Sequence, residues 1–420
     1  MRRLAALAAF VLGGLTLAPA RATTDPGRPQ QWGLDRINAG AERGQGEGVT
    51  VAVIDSGIDR SHVDLRDNVL DGADIVGHDS DPSDENGHGT HVAGIIAAEA
   101  GNGAGVVGVA PKAKLLPVRV LDADGTGSVD DVVAGMHWAI AHGAKVLNLS
   151  LGEDTQTLLG PSLGDAINEA WKNGVITVIA AGNDYLLGSG FRDEPAIVVS
   201  GTTRDDGTPS YAGGGVGSAK WALAAPGGED PALGDKGAIL STYWVSGKHD
   251  QYAYDCGTSM AAPHVSGAAA VLLGLGYTPQ QTVDRLLSTA KDIGAKGRDS
   301  MFGAGLLDIG KATASDGTDP ANTEVPTTAP TGPPATTATT TAVKGAGTPS
   351  NAPSTAPTVT VQPSPSTTAK TDAVAGATRS KHDDDGDSVA VPGVIAALLA
   401  GGVLVAAFRT RRAAEQATRR

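Results

Sequence analysis

Two kinds of apolar pattern alternate along residues 28–312. Short, continuous runs of β-branched and aliphatic residues, such as 49–54, are typical of strands buried on both faces of a sheet. Longer stretches, such as 129–142, carry apolar residues at helical spacing. Further strands are predicted at 114–120, 146–149, 175–180 and 196–200, and further helices at 91–99 and 161–173. The alternation predicts an α/β fold of three layers, with a mainly parallel central sheet and helices on both faces.

Two other apolar runs lie near the ends of the chain. Residues 1–22 combine an early pair of arginines, an apolar run and small residues suited to cleavage, which predicts a signal peptide. Residues 389–408 carry no charge and are long enough to cross a bilayer, which predicts one transmembrane helix. The basic tail 409–420 then places the C-terminus in the cytoplasm and everything before the helix outside the cell membrane. A core helix is the alternative for 389–408.

The segment between the globular part and the predicted membrane helix has a different composition. Residues 313–388 are rich in Thr, Pro, Ala and Ser and nearly lack large apolar side chains. Such a segment buries too little surface to offset the entropy of ordering, so we expect a disordered stalk. The globular domain is therefore assigned to 49–312, preceded by an N-terminal extension at 23–48.

Charge and cysteine content narrow the function classes. The net charge is −14 over 420 residues, and an acidic balance disfavours nucleic-acid binding, which needs basic groups to displace counterions. The single cysteine rules out an intramolecular disulfide. The expected partners are polypeptide substrates and a lipid bilayer, contacted through the C-terminal helix. We expect a monomer.

Four polar residues fall where an α/β sheet places its sites. Asp55 and Asn183 each follow a predicted strand, and ligands bind beyond the carboxyl ends of such strands. His88 opens a predicted helix, and Ser259 precedes the almost uniformly apolar run 260–273. A serine hydroxyl needs a base to remove its proton, an imidazole can act as that base, and a carboxylate can fix its tautomer.

The motifs around these residues resemble one known family. VAVIDSGID, NGHGTHVAG, VIAAGND and GTSMAAPHVSG resemble the subtilisin-like serine peptidases (subtilases, peptidase family S8), in which the triad also occurs in the order Asp, His, Ser. The resemblance implies a serine endopeptidase that works through an acyl-enzyme and requires no cofactor for the chemistry. It makes Ser259 the nucleophile, His88 the base, Asp55 its orienting carboxylate and Asn183 the oxyanion-hole amide.

The resemblance also implies where a substrate binds. Two short segments match the family's edges on either side of an extended peptide, which main-chain hydrogen bonds would hold. The six residues concerned are Gly125, Thr126, Gly127, Ser150, Leu151 and Gly152.

Metal binding is left as two alternatives. Calcium is a familiar structural ion in the family, and Asp79, Asp81 and Asp84 offer hard oxygen ligands at close spacing. Asp64 and Asn102 correspond to parts of another family site. The other interpretation is a solvated acidic loop. His91, one helical turn after His88, could form a metal pair with it, but we expect it to be structural.

The N-terminal extension bears on activation. Many secreted relatives carry a separate pro-domain, but only about 25 residues lie between the signal and the first strand, too few to fold alone. We therefore expect Trp32, Leu34 and Ile37 to dock on the enzyme, which would be active without removal of a pro-domain.

Two other functions stay open. The layout of signal, catalytic domain, Pro-rich stretch and anchor resembles the mycosins, processing proteases of type VII secretion. A catalytically idle surface scaffold that binds a partner is the alternative from a different class, although no triad residue is altered.

Overall fold

The computed structural model describes residues 24–40, 42–151, 161–183, 191, 193–212, 215–315 and 358–360. The predicted signal peptide, membrane helix and basic tail, and most of the stalk, lie outside these residues. The strands of the described part are β1 (Thr50–Asp55), β2 (Ala73–Asp74), β3 (Lys114–Arg119), β4 (Thr126–Ser128), β5 (Val146–Leu149), β6 (Ile176–Ala180), β7 (Ala196–Thr202), β8 (Trp221–Pro226), β9 (Ile239–Val245), β10 (Lys248–Asp255) and β11 (Thr358–Thr360).

Helices flank a parallel sheet of seven strands. The strand order is β2-β3-β1-β5-β6-β7-β8, and every pair in this sheet is parallel. The helices of the described residues are α1 (Trp32–Arg36), α2 (His88–Ala97), α3 (Val129–Ala141), α4 (Pro161–Lys172), α5 (Thr258–Gly274), α6 (Pro279–Ser288) and α7 (Ile309–Ala312), with 3₁₀ turns at Arg28–Gln30 and Pro231–Lys236.

Two hydrophobic cores lie on opposite faces of the sheet. Strand β1 contributes Val51 and Val53 to one core and Ala52 and Ile54 to the other, as the two-residue period of a strand requires. The first core also takes in α2 and α5, and the second takes in α3 and α4. This arrangement confirms the predicted three layers.

Several elements depart from the sequence-based expectation. Helix α2 begins at His88, three residues before the predicted start at 91. Strand β8 and helix α6 were not predicted, nor was the antiparallel hairpin of β9 and β10 that packs against α2. None of the helices in the described part of the chain has the length and apolarity that a membrane span requires.

Candidate active site

A buried carboxylate and a buried imidazole meet at the carboxyl end of β1. Asp55, the last residue of the strand, is 0% exposed, and His88, the first residue of α2, is 7% exposed. His88 Nδ1 lies 2.8 Å from Asp55 Oδ1. Because an ionised carboxylate only accepts hydrogen bonds, this contact places the ring proton on Nδ1 and leaves the Nε2 lone pair available.

Asp84 fixes the first turn of α2, on which His88 stands. Its buried carboxylate accepts hydrogen bonds from the backbone N–H of Gly87 (2.9 Å) and Thr90 (2.9 Å) and from the Thr90 hydroxyl (2.6 Å). The Ser56 hydroxyl, next to Asp55 in the chain, donates to the same carboxylate at 2.9 Å. Asp84 therefore ties the end of β1 to the start of α2 and sets the distance between Asp55 and His88.

The nucleophile candidate lies at the start of the buried helix α5. Ser259 is the second residue of this helix, so its backbone N–H has no intrahelical partner. Its hydroxyl donates to the Ser150 carbonyl at 3.3 Å, and the Ser150 hydroxyl donates to the Ser259 carbonyl at 2.8 Å. Because Ser150 directly follows β5, these bonds hold the helix start at the same sheet edge as Asp55.

Asn183 lies against the turn that carries Ser259. Its Oδ1 accepts hydrogen bonds from the Thr258 backbone N–H and hydroxyl, each at 3.0 Å. Gly257, the preceding residue, has a φ of 146°, and a Cβ there would lie 3.3 Å from Asn183 Nδ2. With Oδ1 held in this way, the Nδ2 donor stays on the side of the Gly257–Ser259 turn.

Negative charges raise the basicity of His88. Burial, the largest single effect, disfavours the imidazolium and acts to lower the pKa, whereas the charge and hydrogen bond of Asp55 act to raise it. Asp255 and Asp84 add to the effect, and the net result is a raised pKa for His88. A raised pKa strengthens His88 as a base once it is neutral.

Comparison with known proteins assigns the chain to one family. The pattern of the Subtilase family matches residues 46–305. Thermitase from Thermoactinomyces vulgaris is 38% identical over 275 residues, which cover 64% of this chain and 91% of thermitase. Subtilisin BL from Lederbergia lenta is 37% identical over 289 residues, which cover 67% of this chain and 98% of that protein. The chain belongs to the subtilase family.

Further relatives agree with this assignment. The thermophilic serine proteinase of Bacillus sp. (strain AK1) is 40% identical over 262 residues, and this subtilase spans 60% of that protein's length. A solved chain of a protease from Pseudoalteromonas arctica PAMC 21717 superposes with a TM-score of 0.58 at 31% identity, covering 70% of this chain and 99% of the other. The matched region is a subtilisin-type serine endopeptidase, with polypeptides as its class of substrate and no cofactor in its chemistry.

The predicted site residues of this subtilase fall into two pairs at one sheet edge. Asp55 contacts His88, and Asn183 contacts the turn of Ser259. Within the described residues no hydrogen bond joins His88 to Ser259, whose hydroxyl points to the Ser150 carbonyl instead.

The two predicted substrate edges are only partly described. Ser150 and Leu151 are buried beyond the end of β5, and Gly152 lies outside the described residues. Gly125, with a φ of 74°, leads into β4, to which Thr126 and Gly127 belong.

The acidic residues before His88, one of the two calcium candidates, make hydrogen bonds within their own loop and to the start of α2. Each carboxylate oxygen of Asp84 already accepts protein N–H or O–H donors, so Asp84 is a buried structural acceptor. Asp79 and Asp81 are exposed and cap backbone N–H groups of their own loop, as the solvated-loop alternative expects.

At the second calcium candidate, protein donors occupy the Asp64 carboxylate. Asp64 accepts hydrogen bonds from the Asn102 side-chain amide (2.9 Å), the Val106 N–H (2.9 Å) and the Tyr252 hydroxyl (3.0 Å). The described residues contain no metal-binding cluster of His, Cys, Asp and Glu side chains. Structural calcium stays a prediction, and no step of the mechanism involves the ion.

His91 has the structural role that the sequence suggested. It is fully buried, and its Nε2 lies 3.1 Å from the carbonyls of both Ile239 and Ala253, in β9 and β10. Because Nε2 donates to these carbonyls, the lone pair of the neutral ring lies on Nδ1, and the described residues hold no cluster of metal-binding side chains around it. Burial lowers the pKa of His91, so it stays neutral while it joins α2 to the hairpin.

Sequence reasoning missed the polar residues that support the triad. Asn148, inside β5, donates to the Ser150 hydroxyl at 2.9 Å and accepts from the Ser266 hydroxyl of α5 at 2.7 Å. Asn148 did carry a signal, because it is the one polar residue in the otherwise apolar run Val146–Leu149. Asp255 had none, since its proximity to His88 arises only in the folded chain.

Proposed function

We propose that this subtilase hydrolyses peptide bonds through an acyl-enzyme on Ser259, with His88 as base, Asp55 as its orienting carboxylate and Asn183 in the oxyanion hole. The observation that carries the proposal is the 2.8 Å contact between the buried His88 Nδ1 and Asp55 Oδ1. It fixes the tautomer that leaves Nε2 unprotonated, which is the state that a general base requires.

Acylation begins when the Ser259 hydroxyl turns from the Ser150 carbonyl toward His88. Catalytic hydrogen bonds are often long or absent before a substrate binds and form in the complex. As Oγ bonds to the scissile carbonyl carbon, its proton passes to His88 Nε2. Asp55 stabilises the imidazolium that results.

The oxyanion formed in this step needs donors that are already in position. The Ser259 backbone N–H, unpaired in the first turn of α5, is one, and the Nδ2 of Asn183 is the other. The partial positive charge at the N-terminus of this 17-residue helix adds to the stabilisation.

The intermediate then collapses as the C–N bond breaks. The leaving amine takes the proton from His88 Nε2, and the acyl group stays on Ser259 Oγ. A water molecule repeats the sequence: His88 takes its proton, its oxygen bonds to the acyl carbon, and Oγ leaves with the proton restored. The products are an amine and a carboxylic acid, and the enzyme is regenerated.

An extended polypeptide fits the two edges on either side of this site. Strand β4 offers Thr126 and Gly127 on one side, and Ser150 and Leu151 stand on the other. Main-chain pairing of this kind places little demand on side-chain identity.

Active-site labelling tests the proposed chemistry. The full chain should react with a fluorophosphonate, whereas the Ser259→Ala variant should not. The control variant Ser288→Ala, at an exposed position of α6, should react as the wild type does. Asn183→Leu should lower turnover of a peptide amide about 10²–10³-fold with little change in KM. An unlabelled wild-type chain would favour the catalytically idle scaffold. Near-full activity of Asn183→Leu would show that Asn183 is not part of the oxyanion hole.

We further propose that the enzyme is exported and anchored by the apolar run 389–408. The charge pattern around that run supports this topology. A chain that ends before Val389 should be released into the medium, whereas the full chain should remain with membranes. If protease added to intact cells did not cut the catalytic domain, the opposite topology would be indicated. A mycosin-like processing role rests on the chain layout, and its test is cleavage of a type VII secreted protein by the enzyme but not by Ser259→Ala.

A further inference from the structure

Strand β4 pairs with a segment of the stalk. It stands apart from the seven-stranded sheet, and its one strand partner among the described residues is β11. The two strands are antiparallel, with Thr358 opposite Ser128, Val359 opposite Gly127 and Thr360 opposite Thr126. A backbone segment from the Thr/Pro-rich region therefore occupies the edge that we assign to the substrate.

Two neighbouring segments link this edge to the catalytic pair. The Asn86 side-chain amide donates to the carbonyl of Ala123, in the loop before β4, at 3.1 Å. Asn86 is two residues before His88. Gly127 packs on the Val120 carbonyl, and the Val120 N–H donates to the Asp55 carbonyl at 2.8 Å. The segment that pairs with β4 is therefore held on an edge that backbone contacts join to Asp55 and to the loop before His88.

The direction of β11 is also defined. From Thr358 to Thr360 the stalk runs from the Ser128 end of β4 to its Thr126 end. The Thr126 carbonyl accepts from the Asp122 N–H at 2.9 Å, so this end is the one joined to the loop that Asn86 holds. The stalk strand therefore runs toward the start of α2, not away from it.

We propose that Thr358–Thr360 is an intramolecular ligand of the substrate edge, so that the enzyme's own stalk competes with polypeptide substrates for β4. This rests on the proposed function of β4. A strand edge has one row of backbone donors and acceptors, so the stalk and a substrate exclude each other there.

The length of the connection makes such competition effective. About 40 residues, 316–357, join the end of the catalytic domain to β11, and a connection of this length and composition gives an effective concentration on the order of mM. Three paired residues form only a short two-stranded ribbon, which is marginally stable by itself. The stalk strand is thus present often enough to compete and weak enough for a substrate to displace.

The kinetic test removes the backbone donors of β11. Replacing Thr358, Val359 and Thr360 together by proline eliminates every N–H that could pair with β4, whichever residues donate. Because the apparent KM is the intrinsic value divided by the fraction of enzyme with a free edge, we expect the full-length variant to show a KM at least about threefold lower, with kcat unchanged. The matched control is the proline triplet at Thr341, Ala342 and Val343, which should leave both constants unchanged.

A cross-linking test measures the pairing of β11 with β4 independently of enzyme activity. Opposite residues of an antiparallel pair have Cα atoms about 4.5–5.5 Å apart, within the range of a disulfide. Thr126→Cys with Thr360→Cys, in a full chain that also carries Cys256→Ser and Ser259→Ala, should oxidise to an intramolecular disulfide. Thr126→Cys with Thr341→Cys is the control for random encounters of the stalk.

Two results would overturn the inference. An unchanged KM in the 358–360 proline variant would exclude competition, and cross-linking no faster than in the control would exclude the pairing. Failure of the proposed function is distinct from both, since it would appear as loss of fluorophosphonate labelling at Ser259 in the proline variant and the wild type alike.

Discussion

His88 lies among three carboxylates, of which only Asp55 contacts it. Asp255 is 7% exposed and precedes the α5 turn, and it is one of the charges that raise the pKa of His88. Its Oδ1 accepts the Cys256 N–H at 2.7 Å, which fixes the carboxylate in place. Asp255 therefore tunes the base without touching the reacting atoms.

Replacing Asp255 by Asn should change the pH profile of the enzyme. The base must be neutral, so activity rises with pH as His88 loses its proton. Removing the negative charge of Asp255 lowers the pKa of His88, and the acid limb of the kcat/KM profile should shift to lower pH. The Asn Oδ1 can still accept the Cys256 N–H, so the fold should be retained.

The control for this prediction is Asp284→Asn, an exposed residue of α6. It changes the net charge by the same amount and should leave the acid limb in place. An Asp255→Asn profile that coincides with the wild type, or shifts to higher pH, would contradict the role of Asp255.

Asp84 should matter for both stability and turnover. Asp84→Ala leaves several buried donors without an acceptor, and we expect a loss of about 1–3 kcal/mol in the free energy of unfolding. Turnover should fall as well, because the first turn of α2 no longer holds His88 against Asp55. Denaturant unfolding and kcat measure the two effects. Asp81→Ala, in the exposed part of the same loop, should change neither; equal effects of the two variants would contradict the assignment.

At the scale of elements, α2 is held by close packing against β9. A Cβ on Gly94 would overlap the hydroxyls of Thr242 and Ser241. These hydroxyls donate to the carbonyls of Thr90 and His91 at 2.7 Å, so they have little freedom to move. The helix that carries His88 thus depends on a glycine in its interior.

Gly94→Ala should therefore destabilise the protein although alanine favours helices. Overpacking typically costs about 1–3 kcal/mol, more than the gain in helix propensity of about 1 kcal/mol. Gly164→Ala in α4 is the matched control, because its Cβ would meet its nearest atom at 3.6 Å, an ordinary contact. Denaturant midpoints should move in opposite directions for the two variants, and a more stable Gly94→Ala would refute the packing argument.

Elements with a strong local pattern were predicted, and those without one were missed. Strands β1, β3, β5, β6 and β7 have short continuous runs of large aliphatic residues, which predict buried strands. Strand β8, with the sequence WALAAP, has alanines where β-branched residues would signal a strand, and it is a strand because it pairs with β7. Helix α6 has a capping box at Thr278 and Gln281 that was available as a signal.

At the scale of the whole molecule, the N-terminal extension is part of the enzyme. Trp32, Leu34 and Ile37 are all buried in the core that also contains α5, as expected from the sequence. The Trp32 indole donates to the Ala238 carbonyl at 2.8 Å, and Gln31 exchanges two hydrogen bonds with the Val107 backbone. These contacts support the expectation that the active enzyme retains this segment.

Truncating the Trp32 side chain should therefore lower the stability of the catalytic domain. Trp32→Ala removes a 3% exposed side chain, and we expect a loss of about 3–5 kcal/mol in the free energy of unfolding. Trp138→Ala on α3, whose ring is only partly buried, should cost much less. N-terminal sequencing of the active species should find Trp32 present; an active form that begins beyond Gly33 would show that the segment is a pro-peptide.

The sequence alone determined the residues of the candidate site and the class of fold. Asp55, His88, Asn183 and Ser259 each lie in a local motif of their own. Asp55 and Asn183 also follow predicted strands, which places both at one edge of the sheet. Buried runs report the strands because the pleat and the core impose a pattern on neighbouring residues.

Only the tertiary structure decided what surrounds that site. Four features join residues far apart in the chain: the bond of Ser56 to Asp84, the charge of Asp255 near His88, the Asn148 link to α5 and the pairing of β11 with β4. Local periodicity holds no information on such pairs, because a polar side chain in a loop looks the same whether it meets water or a helix end. Their roles follow from which donors and charges the closed fold brings within hydrogen-bond reach.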